Sequence, residues 1–360
     1  MNRRNTKKMI AISAACVISA ALITGCGSKK DPYAMVEYDV KEYVTLGTYT
    51  GLKVDEKITA VTDKDVQAAI DSLVEEATTY KEIKDRYAKS TDKVTVKYVR
   101  TEEGAEADEE QTKTFEIGSG DMGEKFESQM INMAIDGTKT FTIEETVTAD
   151  DDKEEKVNAT YSVTVTKIEE KIVPEVTDAF IKEKTESDTI TDFKADTRKE
   201  MEEENAESAK STAEQDLLKL VVDESKVTGS PTFLYNINYN SIAQNYAMYG
   251  SYFGMSMEEY VKACGMSMDD LKYEAVSYTQ QCLVVEALLQ DLNMDITDEE
   301  YDKKIDEYVE EYQYESKDKL LEQHSKAELL TQMRTEKAVD YLYENSTVNK
   351  MTVQPKETEE

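Results

Sequence analysis

This sequence of 360 residues has little of the side-chain chemistry on which most catalytic and metal sites depend: it contains one histidine, four cysteines and no tryptophan. Metal sites built from histidine and cysteine clusters are therefore effectively excluded, and so are Ser-His-Asp and Cys-His catalysis unless His324 takes part. His324 lies in the polar, helix-like stretch "EQHSKAELL", for which we expect a solvent-exposed position. We accordingly expect neither a metal nor a cofactor.

Positive charge is also scarce, with 43 Lys and Arg residues against 76 Asp and Glu residues and a net charge of −33. Binding to nucleic acid requires a basic surface. We therefore expect no nucleic-acid partner, and we expect the excess of negative charge to keep the protein soluble.

The N-terminal residues have the pattern of a targeting signal. Four basic residues among the first eight precede the apolar run "MIAISAACVISAALITG" and then Cys26. The run is too short, and wrongly flanked, for a membrane-spanning helix. Because "ITGC" resembles a bacterial lipobox, we predict a signal peptide at 1–25, a lipid-modified Cys26 and a tether at 26–42. Secretion without a lipid is the alternative.

Two further cysteines, Cys264 and Cys282, lie in the C-terminal part. In an oxidising compartment they can form a disulfide. They can equally be small apolar side chains buried separately. The sequence leaves both alternatives open.

The stretch from 89 to 170 alternates apolar and polar residues. The apolar positions are Val94, Val96, Tyr98, Phe115, Ile117, Phe141, Ile143, Tyr161, Val163 and Val165. Such alternation predicts half-buried antiparallel strands. Between them, "EKFESQMINM" places Phe126, Met130 and Met133 on one face of a short helix, so we predict a small sheet with one helix against it.

The flanking parts have helical patterns. From 43 to 88 an extended segment precedes a helix that Thr62 can cap, and from 171 to 348 the pattern is helical, with capping boxes beginning at Ser256, Ser267 and Thr297. One long helix, "TDFKADTRKEMEEENAESAKSTAEQDLLKLVVDES", is polar in its middle and cannot be buried in a single compact core. We therefore predict an α+β fold, in which a small antiparallel-sheet domain is inserted in an extended all-helical domain with arms. Residues 349–360 are predicted to be a disordered tail.

In the order and spacing of these segments, the sequence resembles bacterial trigger factor. The resemblance covers roughly residues 43 to 347 and runs through "YVTLGTYTGLKV", "FEIGSGDMGEKFESQMINM" and "NMDITDEEYDKKIDEYVEEY". It implies an FKBP-type isomerase domain at 89–170, inserted in a helical chaperone domain at 43–88 and 171–348. The signal peptide and lipobox stand where that family has a ribosome-docking domain, so we do not expect the ribosome as a partner.

The resemblance also implies a proline-binding pocket. The matching positions are Tyr98 and Tyr161 as aromatic walls, Phe126 as the floor, Met122 as an apolar wall and Asp108 as the acidic residue. Ala107, Gly123, Lys125 and Asp151 depart from the family pattern, although the N–H of Gly123 is still able to donate. A dry aromatic pocket favours the twisted amide without a nucleophile or base, so scarce histidine does not argue against isomerisation. Since the same rings would also fill the core of a small sheet domain, pocket and core both remain open.

The stretch from 233 to 260 is rich in tyrosine and methionine. The candidate client-binding residues are Tyr235, Tyr239, Tyr246, Met248, Tyr249, Tyr252, Phe253 and Met255. Flexible methionine and amphipathic tyrosine suit contact with varied unfolded segments. The alternative is that these residues close a hairpin and pack on Leu271, Leu283 and Leu288, and we expect a mixture of the two roles.

Together these features predict a chaperone for unfolded or nascent secreted polypeptides, anchored through Cys26 on the extracytoplasmic face of the cell membrane. Its isomerase-type domain is either active or vestigial, and a non-catalytic holdase or scaffold is the main alternative. A solute-binding lipoprotein is disfavoured, because that class alternates strands and helices. The sequence leaves the oligomeric state open, with a homodimer among the alternatives.

Overall fold

The computed structural model describes residues 37–148 and 154–355. The strands are β1 (Val44–Thr45), β2 (Lys53–Thr59), β3 (Thr79–Ile83), β4 (Lys93–Glu102), β5 (Gln111–Glu116), β6 (Thr138–Thr148), β7 (Glu154–Ile172), β8 (Lys226–Val227) and β9 (Thr347–Val353). The helices are α1 (Asp63–Ala77), α2 (Glu124–Glu127), α3 (Asp178–Lys184), α4 (Ile190–Glu224), α5 (Thr232–Tyr252), α6 (Met257–Ala263), α7 (Met268–Asp291), α8 (Asp298–Glu311), α9 (Lys317–Gln323) and α10 (Lys326–Glu344).

The chain forms two compact units. Among the described residues, the strand-rich unit spans 62–199, and the helical unit comprises 37–61 and 200–355. This combination of a small sheet region with a helical C-terminal region confirms the predicted α+β class. The predicted boundaries at 89 and 170 both lie inside the strand-rich unit, because α1 and α3 also belong to it.

The sheet of the strand-rich unit is antiparallel and is organised around β7. On one edge this long strand pairs with β6 and then with β3, on the other edge it pairs with β4, and β5 adds to the far side of β4. The period of two places Val94, Val96, Val163 and Val165 on one face, where all four are fully buried. The predicted alternation is thereby confirmed.

One short helical segment covers the apolar face of this sheet. It consists of α2 and the following 3₁₀ turn Ser128–Met130, and it buries Phe126 and Met130. A second, smaller core joins α1 to α3 and the start of α4 through Ile70, Ile181 and Phe193. Thr62 caps α1 as predicted, in a reciprocal capping box with Asp65.

The main core of the helical unit is built from the second half of α7. Leu283, Leu288 and Leu289 are buried there against Leu217 of α4 and Leu342 of α10. The predicted capping boxes at Ser256, Ser267 and Thr297 are all present and begin α6, α7 and α8. Local capping chemistry therefore sets where these helices start.

Two predictions about the C-terminal part are wrong. Residues 349–353 are not a disordered tail, because they belong to β9, which pairs in parallel with β2 over seven residues from Lys53↔Thr347 to Thr59↔Val353. His324 is not on the surface, because the helix is interrupted between α9 and α10 and this ring is buried there. Its Nε2 lies 2.7 Å from the Tyr314 hydroxyl, and burial lowers the pKa of His324.

The two C-terminal cysteines are not joined by a disulfide: Cys264 is exposed and Cys282 is buried. Over residues 37–148 and 154–355, no helix combines the length and apolar character that crossing a membrane requires. The predicted signal peptide and Cys26 lie outside the described residues.

The β2–β9 pair contains a buried carboxylate, Glu56, which is 1% exposed. Lys350 Nζ lies 3.0 Å from Glu56 Oε1, and the Tyr343 hydroxyl donates to Glu56 Oε2. Burial alone would raise the pKa of Glu56, but the hydrogen bonds from Tyr343 and Lys350 outweigh burial, and the pKa is lowered overall.

We expect Glu56→Gln to lower the free energy of unfolding by about 1–3 kcal/mol at neutral pH, because the amide cannot replace a charge that accepts both bonds. Since the folded pKa of Glu56 is depressed, its contribution is present above its ordinary pKa of about 4.3 and is lost as the pH falls through the folded value. Urea unfolding at a series of pH values should show wild type and variant converging in acid. The exposed Glu258→Gln is the control, and a gap that stays constant with pH would contradict the assignment.

Candidate functional site

Five aromatic side chains meet inside the strand-rich unit, and we call them the aromatic group: Tyr98, Phe115, Phe126, Phe141 and Tyr161. Phe126 is at the centre, with its ring centroid 5.0 Å from that of Tyr161, 5.5 Å from Phe141, 5.8 Å from Tyr98 and 6.0 Å from Phe115. All four contacts are edge-on, a geometry that aromatic pairs prefer. Strand alternation thus brings four rings to one place, and α2 inserts the fifth among them.

A polar network borders the aromatic group. The Tyr161 hydroxyl donates to Glu145 Oε1, and Arg100 Nε donates to Glu145 Oε2 at 3.0 Å. Arg100 also lies 3.7 Å from the carboxylate of Asp108 and 3.2 Å from that of Glu102. Burial and the hydrogen bond to Glu145 raise the pKa of Tyr161, so this phenol stays neutral and acts as a donor.

The structure brings the five predicted pocket residues into one neighbourhood. Tyr98, Phe126 and Tyr161 share ring contacts, and Met122 packs against the same core. Asp108 is exposed at the edge and reaches the group only through Arg100. Of the positions that depart from the family pattern, Gly123 uses its N–H to donate to the Gly120 carbonyl at 2.9 Å, and Asp151 lies outside the described residues.

Burial decides how much of the aromatic group can meet another molecule. Phe126 is 1% exposed and Tyr161 7% exposed, whereas Tyr98, Phe141 and Met122 are partly exposed. A ligand arriving from solvent would therefore touch Tyr98, Met122 and Phe141 before it reached the floor. Phe126 serves as core in this structure, and its assignment as a pocket floor stays a prediction.

A second group of aromatic residues lies at one end of the hairpin formed by α5, α6 and α7, residues 232–291. We call it the tip cluster: Tyr249, Tyr252, Phe253 and Tyr260. The Tyr260 ring stacks on Phe253, with centroids 5.9 Å apart and planes 9° apart, and on Tyr249, with centroids 6.2 Å apart. Tyr252 contacts Phe253 edge-on at 5.3 Å.

Gly250 allows the tip cluster to form. A Cβ at this position would lie 3.0 Å from the carbonyl oxygen of Met255 and 3.2 Å from Cβ of Tyr260. Because Gly250 has no side chain, the turn after α5 packs directly on that helix, and Met255 N–H donates to the Gly250 carbonyl at 2.8 Å. That close approach places Phe253 and Tyr260 face to face.

The structure divides the eight predicted client-binding residues into two sets. Tyr235, Tyr239 and Tyr246 pack on the hairpin core formed by Ile242 and Leu271. The remaining five are half-buried Met248 and exposed Tyr249, Tyr252, Phe253 and Met255, with Tyr252 the most exposed at 85%. The first set is half-buried against the hairpin core, and the second offers apolar surface to solvent.

Some residues of these sites were missed at the sequence level. Arg100 and Glu145 complete the polar border, and Arg100 could have been found because it follows Tyr98 by two residues on the same strand face. Tyr260 was noted as the last residue of the tyrosine-rich stretch 233–260, but its stacking on Tyr249 and Phe253 from α6 was not predicted, because sequence spacing gives no indication of it.

Comparison with known proteins finds similarity to trigger factors. Residues 189–344 match the family model for the C-terminus of bacterial trigger factor protein. A trigger factor of Limosilactobacillus reuteri (strain DSM 20016) is 30% identical over 284 residues, covering 76% of this chain and 64% of the relative. A trigger factor of Halothermothrix orenii is 28% identical over 270 residues, covering 73% and 62%.

Among solved structures, a trigger factor chaperone described for promiscuous substrate recognition in folding and assembly is 19% identical. The superposition covers 84% of this chain and 72% of the solved chain, with a TM-score of 0.42. The chain spans less than two thirds of the length of the two curated relatives above.

Proposed function

We propose that this trigger-factor-like chain is a chaperone that binds unfolded polypeptides through the tip cluster, outside the cytoplasm and anchored at a membrane. The observation that carries the proposal is the exposed tip cluster, which lies within the residues that match the trigger factor C-terminus. The similarity to trigger factors supports the chaperone part of the proposal.

The physical basis for capture is exposed aromatic surface on an acidic protein. Tyr252 and Phe253 are 85% and 59% exposed, and apolar side chains of an unfolded segment would remove this surface from water. The net charge of −33 opposes association of the protein with itself. The tip cluster is therefore available to clients without drawing copies of the chain together. Self-association as a homodimer remains the alternative assembly.

We expect the double variant Tyr252→Ser, Phe253→Ser to suppress aggregation of a chemically denatured client about tenfold less effectively, because about 1.4 kcal/mol of apolar contact would be lost. Light scattering during dilution from denaturant measures this effect. Tyr87→Ser is the control, since Tyr87 is 62% exposed in the strand-rich unit. Equal loss in the control, or none in the double variant, would contradict the assignment.

The strand-rich unit is proposed to act on X–Pro bonds with the aromatic group as its site. A dry ring surface favours the twisted amide, and the phenols of Tyr98 and Tyr161 supply polar contacts at its border. Tyr98 already donates to Gln111 Oε1 at 2.7 Å and Tyr161 to Glu145, so neither phenol needs a bound peptide to be satisfied. The alternative, a holdase with a vestigial isomerase fold, is favoured by the burial of Phe126.

We expect the wild type to accelerate isomerisation of a proline-containing peptide, and Tyr98→Ala and Phe126→Leu to reduce kcat/KM about tenfold or more, since each removes ring surface at the reacting amide. A protease-coupled or NMR exchange assay gives the rate, and circular dichroism confirms that Phe126→Leu stays folded. Tyr87→Ala is the matched exposed-aromatic control. A wild-type rate equal to the uncatalysed rate, with aggregation still suppressed, would identify the holdase.

Membrane attachment is proposed to occur through a lipid on Cys26, because the signal-like run ends in "ITGC" at this cysteine. Two acyl chains would anchor the protein stably, whereas a single chain gives only marginal binding. In a bacterial host we expect labelled palmitate to be incorporated into the wild type and into Cys16→Ser. We expect no label in Cys26→Ser, whether the protein is recovered from the membrane or from the medium. Labelling of Cys26→Ser, or unlabelled wild type found entirely in the medium, would contradict the anchor.

A further inference from the structure

A buried carboxylate lies directly beside the aromatic group. Glu127 follows Phe126 in α2 and is 1% exposed. Its Oε2 accepts hydrogen bonds from the backbone N–H of Gly118 at 2.8 Å and of Gly120 at 3.1 Å. Its Oε1 accepts from the N–H of Met122 at 2.9 Å and from the Ser119 hydroxyl at 3.3 Å.

These bonds offset the cost of burying a charge. A buried carboxylate is tolerated only when hydrogen bonds replace its water, and here four donors converge on its two oxygens. Burial by itself would raise the pKa of Glu127, but the bonds from Met122, Gly120 and Gly118 outweigh burial, so the pKa lies below its ordinary value. The group is therefore a charged acceptor at neutral pH.

The loop that Glu127 binds has an unusual backbone. Gly118, Gly120 and Gly123 have φ values of +102°, +87° and +81°, a region that side chains other than glycine rarely adopt. These conformations turn the N–H groups of residues 118, 120 and 122 toward one point, which the carboxylate occupies. A loop with this many glycines has little stiffness of its own, so the shape of the loop depends on its bonds to the Glu127 carboxylate.

The same loop carries a wall of the candidate site. Met122 packs against the core that contains Phe126, and it is one of the partly exposed residues that an arriving ligand would meet. Phe126 and Glu127 are consecutive residues of one helical turn. Phe126 enters the aromatic group while Glu127 holds the loop, so the floor and this wall are fixed by a single four-residue helix.

We propose that Glu127 is a positioning residue of the aromatic site: it fixes loop 118–122 so that Met122 stands as a wall beside Phe126. This role rests on the proposed action on X–Pro bonds. In this role Glu127 touches no substrate and acts on the site through the loop alone.

The test is Glu127→Gln in the full chain, with Glu124→Gln as the matched control, since Glu124 is exposed on the same helix. The glutamine keeps the size of the side chain but offers one acceptor oxygen and brings an NH₂ group toward the backbone donors. We expect the amides of Gly118, Gly120 and Met122 to exchange with solvent about tenfold faster and KM for a proline-containing peptide to rise about tenfold, with kcat less affected. Glu127→Asp, which keeps the charge on a shorter side chain, should recover part of both effects, and it serves as the second variant if Glu127→Gln does not fold.

The outcomes separate this inference from the function on which it rests. Unchanged exchange of the loop amides in a folded, active Glu127→Gln protein would overturn the inference alone. Faster exchange with an unchanged KM would overturn the positioning role, because the loop would then be loosened without effect on the site. A wild-type protein with no isomerase activity would contradict the proposed function and remove the site that Glu127 is proposed to organise.

Discussion

The burial of Phe126 is the contact on which the strand-rich unit depends. Antiparallel strands present one apolar face, and the segment that covers it contains only α2 and a 3₁₀ turn. A helix of four residues has no stability of its own, since helix nucleation is unfavourable. Ring contacts of Phe126 and backbone bonds to Glu127 hold it in place. Structure and candidate chemistry therefore share one residue, and a substitution that opens this site also removes part of the core.

In the helical unit, by contrast, some aromatic residues pack on the core and others are exposed to solvent. Tyr235 and Tyr239 are half-buried against the hairpin core, while Tyr252 and Phe253 are exposed at the C-terminal end of α5. A hydrophobic patch at the end of a hairpin would normally favour aggregation. The net charge of −33 belongs to the chain as a whole, since α5 itself carries no charged side chain, and this overall charge limits association between copies while a neutral or basic segment can still approach. The exposed aromatic residues and the overall charge therefore act together.

Much of the local structure could be predicted because it is encoded over short distances. Alternation at Val94 and Val163 gave the buried sheet face, and capping residues such as Ser267 marked the helix starts. Pairings between distant segments could not be predicted: β9 looked like a tail because its partner β2 lies 294 residues earlier at the Glu56–Lys350 contact. His324 was misplaced because the helix is interrupted there, between α9 and α10, and a helix-like sequence pattern does not show this interruption. At the candidate site, the rings were found from alternation, but Glu127 was missed because a carboxylate that binds backbone N–H groups leaves no periodic signal.

The parallel pairing of β2 with β9 has a mechanical consequence. In a parallel pair, the chain enters one strand and leaves the other at opposite ends, so tension between the segment before Lys53 and the segment after Val353 acts along the strands. Such a load is a shear that all the inter-strand bonds resist together, whereas an antiparallel hairpin pulled at its open end unzips one bond at a time. The two-stranded pair is therefore suited to resist a pull applied between Lys53 and Val353.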